Sequence, residues 1–434
     1  MFTYQDAIDF LFPLHRFGVK MGLDTIQTLC KALGNPERRL GKVIHISGTN
    51  GKGSTSALLA SIAKESGEKV ALYTSPHLVD FTERIRINGV PIPQDAVVEY
   101  TRFLRPLAEA SGATFFEVTT AIAFKYFADS NVSLSVIEVG MGGRLDATNV
   151  VQPYLCIITP IGLDHTDWLG NDIPTIALEK AGIIKPNSRV VLSYQTLDAM
   201  EVLTRAAKEK KSKLTIAPAV TRIGSASSSI GNMRFHLHSM RQSYYGLETP
   251  LWAEYQKENL RTVIVAAECL NFSETAIRQG LLKVLENTGF RARLEVISRH
   301  PLMLLDVSHN PHGIEATVEA LNKHRKEFDR LLVVFGVMQD KDAKGMLSAL
   351  GMLASQFFFV SPKTDRALST QNLVALAQAL GLNGLACAST ADAISAAKAL
   401  ATASDLILIT GSFYLAGEAI THFSLAPQST SLNS

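Results

Sequence analysis

The sequence lacks the cysteine patterns that mark disulfide-rich, zinc-binding and redox-active proteins. Its 434 residues include only four cysteines, which lie far apart at Cys30, Cys156, Cys269 and Cys387. No two of them have the spacing of metal ligands. Cys156 falls within an apolar run and is expected to be a buried thiol, which suits a protein of the reducing cytoplasm.

Excess charge and long apolar runs are also missing. The 42 Lys and Arg residues nearly balance the 40 Asp and Glu residues, and the formal net charge is +2. Neither a nucleic acid partner nor a charged tail is therefore indicated. Because no stretch of about 18 uninterrupted apolar residues occurs, we expect no membrane span. Asp6 and Asp9 interrupt the apolar N-terminal segment, which makes it a poor secretory signal and favours a cytoplasmic location.

What the chain does have is length, apolar residues and a regular alternation of patterns. Apolar residues make up 47% of it, which is enough for a large core, and the length favours two or three domains. Short β-rich runs at 42–47, 69–74, 134–140, 154–162 and 189–194 alternate with helical patterns at 54–66, 116–129 and 172–182. This alternation predicts a doubly wound α/β sheet. Residues 210–250 are Gly/Ser-rich and alternating, which predicts β-hairpins.

A second α/β unit is predicted in the last third of the chain. Residues 287–292 have the composition of a linker, and apolar strand patterns return at 302–308, 331–337, 357–362 and 406–412. We therefore predict two domains, 1–288 and 289–434. A cleft between two such domains is the expected ligand site.

The stretch "HISGTNGKGSTSALLA", residues 45–60, places a Gly-rich loop between a strand and a helix. Backbone N–H groups, the helix N-terminus and Lys52 could together bind a phosphate there. The loop lacks the leading Gly of the common phosphate-binding motif, because Ile46 stands in that position. A plain turn with an exposed lysine is the alternative, and the strand–loop–helix context makes it the weaker one.

Polar residues at the ends of predicted strands suggest a ligand edge in each domain. Glu138 lies inside an apolar strand, where it could bind Mg²⁺ or simply pair with Arg144. His165 follows another strand, and it could be a metal ligand, a general base or a hydrogen-bonded loop residue. Lys180 lies in a helix and could extend its amine along the surface to reach water. In the second domain, Asp306 ends a strand and precedes a polar loop.

Nine segments together carry a family resemblance, and they occur in order from about residue 20 to residue 418. They are "GTNGKGS", "YTSPHLVDFTERIRING", "FFEVTTAIAF", "EVGMGGRLDATN", "IGLDHTDWLG", "EKAGIIK", "LDVSHNPHG", "GVMQDKD" and "TGSFYLAGE". Their combination resembles the folylpolyglutamate synthase/dihydrofolate synthase family of the Mur ligase superfamily. The resemblance implies an N-terminal Mur-ligase-type P-loop ATP-binding domain, with a parallel sheet and a small β-rich extension. It also implies a C-terminal Rossmann-like glutamate-ligase domain.

The resemblance further implies a reaction and its participants. A folate or pteroate carboxylate attacks the γ-phosphate of ATP, and L-glutamate then displaces phosphate from the acyl phosphate. Mg²⁺ at two sites and ATP are the implied cofactor and co-substrate, and dihydropteroate or reduced folates are the implied acceptors. A monomer is also implied, whereas a monovalent cation requirement stays open. Positioning and electrostatics should supply most of the catalysis.

Individual roles follow from the resemblance alone. The implied ATP-binding residues are Thr49, Asn50, Gly51, Lys52, Gly53, Ser54, Asn259, Arg293 and Asp306. The implied metal ligands are Ser75, Glu138, His165 and a carbamylated Lys180, and the implied catalytic residues are Lys52, Lys180 and His309. The implied pterin-binding residues are Lys20, Met21, Gly22, Leu23, Thr114, Phe115, Phe116, Glu117, Arg144, Leu145 and Asp146, with Phe116 as the stacking surface.

Several alternatives remain open at this point. The segment "SPHLVDFTERIRI" is closer to bifunctional bacterial members, so we favour use of both dihydropteroate and reduced folates over folylpolyglutamate synthesis alone. A P-loop NTPase switch is disfavoured by the missing Gly and the second α/β domain. A Rossmann oxidoreductase is disfavoured because no G-x-G-x-x-G motif follows a strand. A cell-wall Mur ligase is disfavoured by "TSPHLVDFTERIRING".

Overall fold

The structure, a computed structural model, describes residues 2–17 and 22–425. Its strands form an eight-stranded, a three-stranded and a six-stranded sheet. The predicted fold class, two α/β units with a small β-rich extension on the first, is confirmed. No helix within the described ranges is long and apolar enough to cross a membrane.

The eight-stranded sheet lies at the centre of the first unit. Its strand order is β4-β3-β2-β5-β1-β6-β7-β8, and pairing is parallel except at β2–β3 and β3–β4. The strands are β1 Lys42–Ser47, β2 Val70–Tyr73, β3 Ile85–Ile87, β4 Val90–Pro91, β5 Leu134–Glu138, β6 Leu155–Ile158, β7 Arg189–Leu192 and β8 Lys213–Ile216. The apolar runs form parallel strands because helices cover both faces of such a sheet.

Twelve α-helices of the described chain surround this sheet. They are α1 Tyr4–Leu11, α2 Asp24–Ala32, α3 Lys52–Glu65, α4 Gln94–Ser111, α5 Phe115–Asp129, α6 Thr166–Leu169, α7 Ile173–Ala181, α8 Leu197–Glu209, α9 Ala217–Val220, α10 Gln256–Cys269, α11 Glu274–Leu282 and α12 Val284–Thr288. Short 3₁₀ helices lie at Phe12–Phe17, Pro36–Arg38, Phe81–Arg84 and Ala147–Val150. Helix α3 is buried from Ser54 to Ala63, since it packs between the sheet and helices α10 to α12.

Of the segment predicted as hairpins, residues 221–249 form the separate three-stranded antiparallel sheet, whereas Lys213–Ile216 is the edge strand β8 of the large sheet and Ala217–Val220 is α9. The three-stranded sheet contains β9 Thr221–Ser229, β10 Asn232–Ser239 and β11 Ser243–Thr249. The end of β9 reaches the second unit, where Ser228 Oγ lies 3.1 Å from His324 Nε2. The Ile230 N–H donates to Glu327 Oε2 at 3.0 Å. The small sheet therefore connects the two units as well as covering the first.

The second unit contains the six-stranded sheet, in the order β12-β13-β17-β14-β15-β16. Its strands are β12 Glu295–Arg299, β13 Leu302–Leu305, β14 Leu331–Phe335, β15 Ala354–Phe359, β16 Gly384–Ala386 and β17 Leu406–Thr410. Its helices are α13 Pro311–Lys323, α14 Ala343–Gly351, α15 Thr370–Ala379, α16 Thr390–Leu400 and α17 Phe413–Leu425, with a 3₁₀ turn at Arg325–Glu327. Only the β12–β13 pair is antiparallel.

Two strands of this sheet escaped prediction. Strands β12 and β16 are the edge strands, and most of their residues are partly or fully exposed. Because each is buried on one face at most, neither needs the uninterrupted apolar run that marked the central strands. The predicted boundary at 288–289 falls between the end of α12 and the start of β12.

Candidate active site

The Gly-rich loop lies between β1 and α3, and its glycines are required by the backbone and by close neighbours. Gly48 and Gly51 both have positive φ, at 147° and 86°. A Cβ on Gly51 would lie 2.3 Å from Asn259 Oδ1, and one on Gly48 would lie 1.8 Å from Thr159 Oγ1. Ile46, where the common motif has its first Gly, is a buried residue of β1. The loop is thus a compact variant rather than a damaged copy.

Lys52 begins helix α3 and lies over this loop. Its Nζ donates to the carbonyl oxygens of Gly48 at 3.0 Å and Thr49 at 3.2 Å. The first N–H groups of a helix have no partner within the helix, and the helix dipole favours an anion at that end. A helix of 14 residues together with an ammonium group therefore makes a site for phosphate.

Helix α10 supports the loop from the other side. Asn259 is buried, and its Nδ2 donates to Gln256 Oε1 at 2.8 Å. The Gln256 amide in turn donates to Ser54 Oγ at 3.3 Å. Gln256 was not predicted as a site residue, since a glutamine in a helical pattern gives no signal by itself.

Glu138 ends β5 beside the phosphate loop and is 4% exposed. A Cβ on Gly53 would lie 3.8 Å from its Oε1, and its Oε2 accepts the Ser75 N–H at 3.3 Å. Burial raises the pKa of Glu138, although Lys52, the Ser75 N–H and two arginines act in the opposite direction. The alternative pairing with Arg144 is wrong, because Arg144 Nη2 lies 2.8 Å from Glu179 Oε1.

Lys180 points into the site and not towards water. Its side chain on α7 is 3% exposed, and its Nζ donates to the Gly48 carbonyl at 2.9 Å. Burial, and then the charge of Lys52, lowers the pKa of Lys180 to about 7. The surface placement considered for it is wrong, because the β1–α3 loop covers the amine.

His165 directly precedes α6 and has a left-handed conformation, with φ of 50°. Its ring is 51% exposed, and Nε2 lies 3.7 Å from Asp164 Oδ2. Partial burial lowers the pKa of His165, Lys52 and Lys180 add to the effect, and Asp164 opposes it. The imidazole therefore lies within electrostatic reach of both site lysines.

The residues at the ends of β2 and β5 suit a hard cation better than a transition metal. Ser75 brings a hydroxyl, and Glu138 brings a buried carboxylate that accepts the Ser75 N–H. No group of three or more His, Cys, Asp or Glu in the described ranges is placed to hold a metal by itself. Mg²⁺ is commonly bound by one or two carboxylates, with water and substrate phosphates completing its coordination.

Asp306 and Arg293 approach from the second unit. Asp306 directly follows β13 and is 2% exposed. It accepts bonds from the N–H groups of Leu294 and Ser308 at 3.2 Å and from the Thr317 hydroxyl at 3.0 Å. The Arg293 guanidinium lies 5.5 Å from the centre of the Phe413 ring. Asp306 is therefore fixed in position by its own domain.

His309 lies in the loop after β13. Its Nδ1 is 2.9 Å from the Val307 carbonyl oxygen. A carbonyl only accepts, so Nδ1 carries the proton and, in the neutral ring, Nε2 carries the lone pair. Burial lowers the pKa of His309, which favours the neutral ring.

A cavity of about 70 Å³ is lined by both units. The phosphate loop and the end of β5 line it from the first unit, and the linker and the start of α17 line it from the second. Lining residues include Gly53, Ser75, Glu138, Phe290, Arg293 and Phe413. The predicted cleft between domains is thus present beside the phosphate loop.

A larger cavity of about 320 Å³ adjoins this one, and Ser75 and Pro76 line both. Of the predicted pterin residues, Gly22, Thr114, Phe115, Phe116, Glu117, Leu145 and Asp146 line it. Leu23 and Arg144 are not on its wall, and Lys20 and Met21 lie outside the described residues. The structure therefore brings most of the predicted group together around one aromatic-walled space.

Two buried carboxylates give this cavity its polarity. Glu117 Oε2 caps α5 by accepting the Thr114 N–H at 2.8 Å and the Thr114 hydroxyl at 2.9 Å. Its Oε1 is buried and has no hydrogen-bond partner among the described residues. Burial also raises the pKa of Asp146 on the same wall. A buried acceptor without a partner is costly, which indicates a ligand that brings N–H or O–H donors.

Sequence reasoning missed two basic residues of the site. Arg84 lines the larger cavity, donates from Nε to His77 Nδ1 at 2.8 Å, and lies 5.1 Å from the Phe115 ring centre. Lys341 of the second unit helps to lower the pKa of both His165 and His309. Both occur in segments that carried the resemblance, so position within a motif was the available signal.

Comparisons with known proteins agree with this geometry. Residues 46–267 match the Mur ligase middle domain, and residues 292–413 match the Mur ligase glutamate ligase domain. The dihydrofolate synthase/folylpolyglutamate synthase of Bacillus subtilis is 35% identical over 95% of this chain and 98% of its own length.

Two solved structures show the same fold. Escherichia coli FolC in complex with DHPP and ADP has a TM-score of 0.85 and 29% identity, over 97% of this chain and 98% of that one. Mycobacterium tuberculosis folylpolyglutamate synthase complexed with ADP has a TM-score of 0.86 and 32% identity, over 98% of this chain and 100% of that one.

Proposed function

The chain belongs to the Mur ligase family, in its dihydrofolate synthase/folylpolyglutamate synthase branch, and we propose that it adds L-glutamate to both dihydropteroate and reduced folates. It is an ATP-dependent ligase. One observation carries the proposal: the aromatic-walled cavity and the phosphate-loop cleft share Ser75 and Pro76 as a common wall. A pterin carboxylate leaving the first cavity can therefore reach the γ-phosphate of ATP in the second.

The ATP site draws on both domains, which we divide at 288–289. The loop from Thr49 to Ser54 holds the phosphates, with Lys52 on the β- and γ-oxygens. Asn259 adjoins the loop, and Arg293 and Asp306 reach the nucleotide from the second domain. The fixed Asp306 carboxylate suits a ribose hydroxyl, because no rearrangement is needed to present its remaining acceptor capacity. Domain closure on binding is expected to bring these groups together.

Mg²⁺ fits the donor set, and we propose two sites held by Ser75, Glu138, His165 and a carbamylated Lys180. When bound, the ions neutralise charge on the transferring phosphoryl group. The lowered pKa of Lys180 supports carbamylation, since only the neutral amine adds to CO₂. That addition forms an N–C bond, releases a proton, and converts the neutral amine into an anion facing the site.

The pterin ring is expected to stack on Phe116, which projects into the cavity beside Thr114 and Leu145. Glu117 Oε1 and Asp146 would accept the N–H donors at the edge of the heterocycle. Arg84 lies on the same wall, and its positive charge would attract the substrate carboxylate as it becomes an acyl phosphate.

His309 is proposed to serve the second half-reaction. Its neutral ring presents the Nε2 lone pair, while Nδ1–H is held by Val307. The amino group of L-glutamate must lose protons as it attacks the acyl phosphate, and Nε2 would accept a hydrogen bond from it. Phosphate leaves, and an amide is formed.

Phosphate release by purified protein tests this function. With ATP, Mg²⁺ and glutamate, dihydropteroate and tetrahydrofolate should each stimulate release. Activity with tetrahydrofolate alone would restrict the enzyme to folylpolyglutamate synthesis, and rapid release without glutamate or pterin would favour an NTPase. We further propose a cytoplasmic monomer, which light scattering and fractionation can check.

A further inference from the structure

His45 is a fully buried histidine in the middle of β1, and the reaction outlined above does not use it. Its neighbours Ile44 and Ile46 are also fully buried. Burial, and then the charge of Lys185, lowers the pKa of His45 to about 3, so the ring is neutral. Burying a polar ring in an apolar strand costs free energy unless the ring makes a hydrogen bond. Within the part of the chain that the structure describes, its Nε2 lies 2.8 Å from Thr148 Oγ1.

The direction of the hydrogen bond between His45 and Thr148 follows from the bond that Thr148 makes to Asp146. The Thr148 hydroxyl donates to Asp146 Oδ1, and the Thr148 N–H donates to the same oxygen at 2.9 Å. A hydroxyl has one proton to give, so towards His45 the Thr148 oxygen must accept. His45 therefore carries its proton on Nε2. Its Nδ1 is buried and has no partner among the described residues.

Asp146 is the end of this chain of hydrogen bonds, and it lines the 320 Å³ cavity. Its other oxygen, Oδ2, accepts the Met141 N–H at 3.0 Å. These bonds, together with a contribution from the Gly140 N–H, hold the orientation of the carboxylate, which still lines the cavity where a ligand donor can approach it. Without the His45 proton, the Thr148 hydroxyl would lose the bond that aligns it towards Asp146.

We propose that His45 is a positioning residue for the pterin substrate, acting through Thr148 to hold Asp146 as an acceptor for N–H donors. The ligand class is an aromatic heterocycle with an amino group or a ring N–H, a donor that a fixed carboxylate on the cavity wall would accept. This inference rests on the proposed function, since it places the heterocycle in this cavity. If the hydrogen bond between His45 and Thr148 were only structural, its loss would lower the stability of the fold and leave KM for the pterin substrate unaltered.

Paired substitutions separate these cases. Thr148→Val removes the hydroxyl at constant shape, and Thr148→Ser retains it. His45→Leu removes the donor, and His45→Gln offers an amide N–H at the same reach. We expect Thr148→Val and His45→Leu each to raise KM for dihydropteroate about tenfold, as for loss of one hydrogen bond to a charged group, with KM for ATP unchanged. Thr148→Ser and His45→Gln, which keep the hydrogen-bonding group, should have KM values close to that of the unsubstituted enzyme.

Two further variants complete the design. The double variant His45→Leu/Thr148→Val should be no worse than Thr148→Val alone, because both interrupt one chain of bonds. Ser135→Ala is the matched control: Ser135 is fully buried in the adjacent strand, and its hydroxyl donates to the Leu40 carbonyl at 2.7 Å. It should lose stability without a change in KM.

Several outcomes would overturn the inference. An active, folded Thr148→Val enzyme with unaltered KM for dihydropteroate would do so, as would equal changes in KM for dihydropteroate and ATP. Ring-nitrogen NMR of the unsubstituted protein gives a test that needs no variant to fold: His45 should be the Nε2–H tautomer, and an Nδ1–H tautomer would refute the chain of bonds. If the unsubstituted enzyme turned over no pterin, the proposed function itself would fail, which is a different result.

Discussion

Replacing Lys180 by arginine should abolish ligase activity even though the positive charge is kept. Lys180 is 3% exposed and its Nζ donates to the Gly48 carbonyl of the phosphate loop at 2.9 Å. We propose that this amine works as a carbamate, which is an anion. Arginine stays protonated at any pH that the protein meets and cannot add CO₂ in this way. The substitution therefore separates a role that needs a cation from one that needs a neutral amine.

The lowered pKa determines how much of the Lys180 amine is neutral and able to react with CO₂. With a pKa of about 7, about 90% of the Lys180 amine is neutral at about pH 8. A lysine at the ordinary value of 10.5 would be about 0.3% neutral there, so burial and the charge of Lys52 together make roughly 300 times more amine available to CO₂. Loss of one preorganised charge-stabilising group typically costs about 100-fold or more in kcat, and we expect at least that for Lys180→Arg.

Phosphate release with dihydropteroate, ATP and glutamate is the assay. The unsubstituted enzyme, freed of metal and CO₂, should regain activity when bicarbonate and Mg²⁺ are added. The recovery should weaken below about pH 7, because the protonated amine does not react. Lys180→Ala should lose most activity, and formate or acetate should restore part of it by supplying the missing carboxylate.

Lys185→Arg is the matched control. This half-buried lysine lies in the same segment, and its Nζ donates to the Asn149 carbonyl at 3.1 Å, a bond that arginine can replace. It should retain activity. Full activity of Lys180→Arg, or recovery that does not depend on bicarbonate, would refute the carbamate role.

Three other predictions concern charge at the site and in the fold. Lys52→Ala should lower kcat about 100-fold while circular dichroism stays unchanged, because the phosphate loop loses its cation; near-normal activity would reject the assignment. Glu138→Gln and His165→Ala should each raise the Mg²⁺ concentration for half-maximal activity about tenfold, and an unchanged titration would place the metal elsewhere. Asp405→Asn should lower the free energy of unfolding at pH 7 by roughly 1–3 kcal/mol, because buried Asp405 accepts bonds from Arg330 Nη2 at 2.7 Å and from neighbouring groups. These bonds lower the pKa of Asp405, so its stabilisation is present at neutral pH and is lost as pH falls below about 4; denaturation curves of the two proteins should converge in acid.

Local patterns in the sequence were enough to predict most of the fold. The apolar runs from 42–47 to 406–412 became the central strands, because a parallel strand is buried on both faces and must be apolar throughout. The Gly-rich segment after β1 likewise predicted a strand–loop–helix unit, since its conformation depends on neighbours along the chain. Polar residues directly after buried strands predicted a ligand edge, and Glu138 and Asp306 lie at such ends.

The rest depended on contacts between distant parts of the chain. The edge strands β12 and β16 have no strong apolar pattern, and they exist because a neighbouring strand offers hydrogen bonds. Glu117 could be predicted as a helix cap from its sequence, but only the packed cavity leaves its Oε1 without a partner among the described residues. The bond from Arg84 to His77 gave no signal beyond membership of a motif.

His45 shows most clearly which properties the sequence determines and which the tertiary structure decides. From the sequence it is one polar residue in an apolar strand, and such a residue has many structural explanations. The structure brings it to Thr148, 103 positions away, and through Thr148 to Asp146 on the cavity wall. The sequence by itself therefore determined which segments form strands, helices and the phosphate loop, since these follow from local sterics and burial periodicity. Which donor meets which acceptor was decided only by the tertiary structure, because hydrogen-bond direction and burial depend on groups that the chain brings together in space.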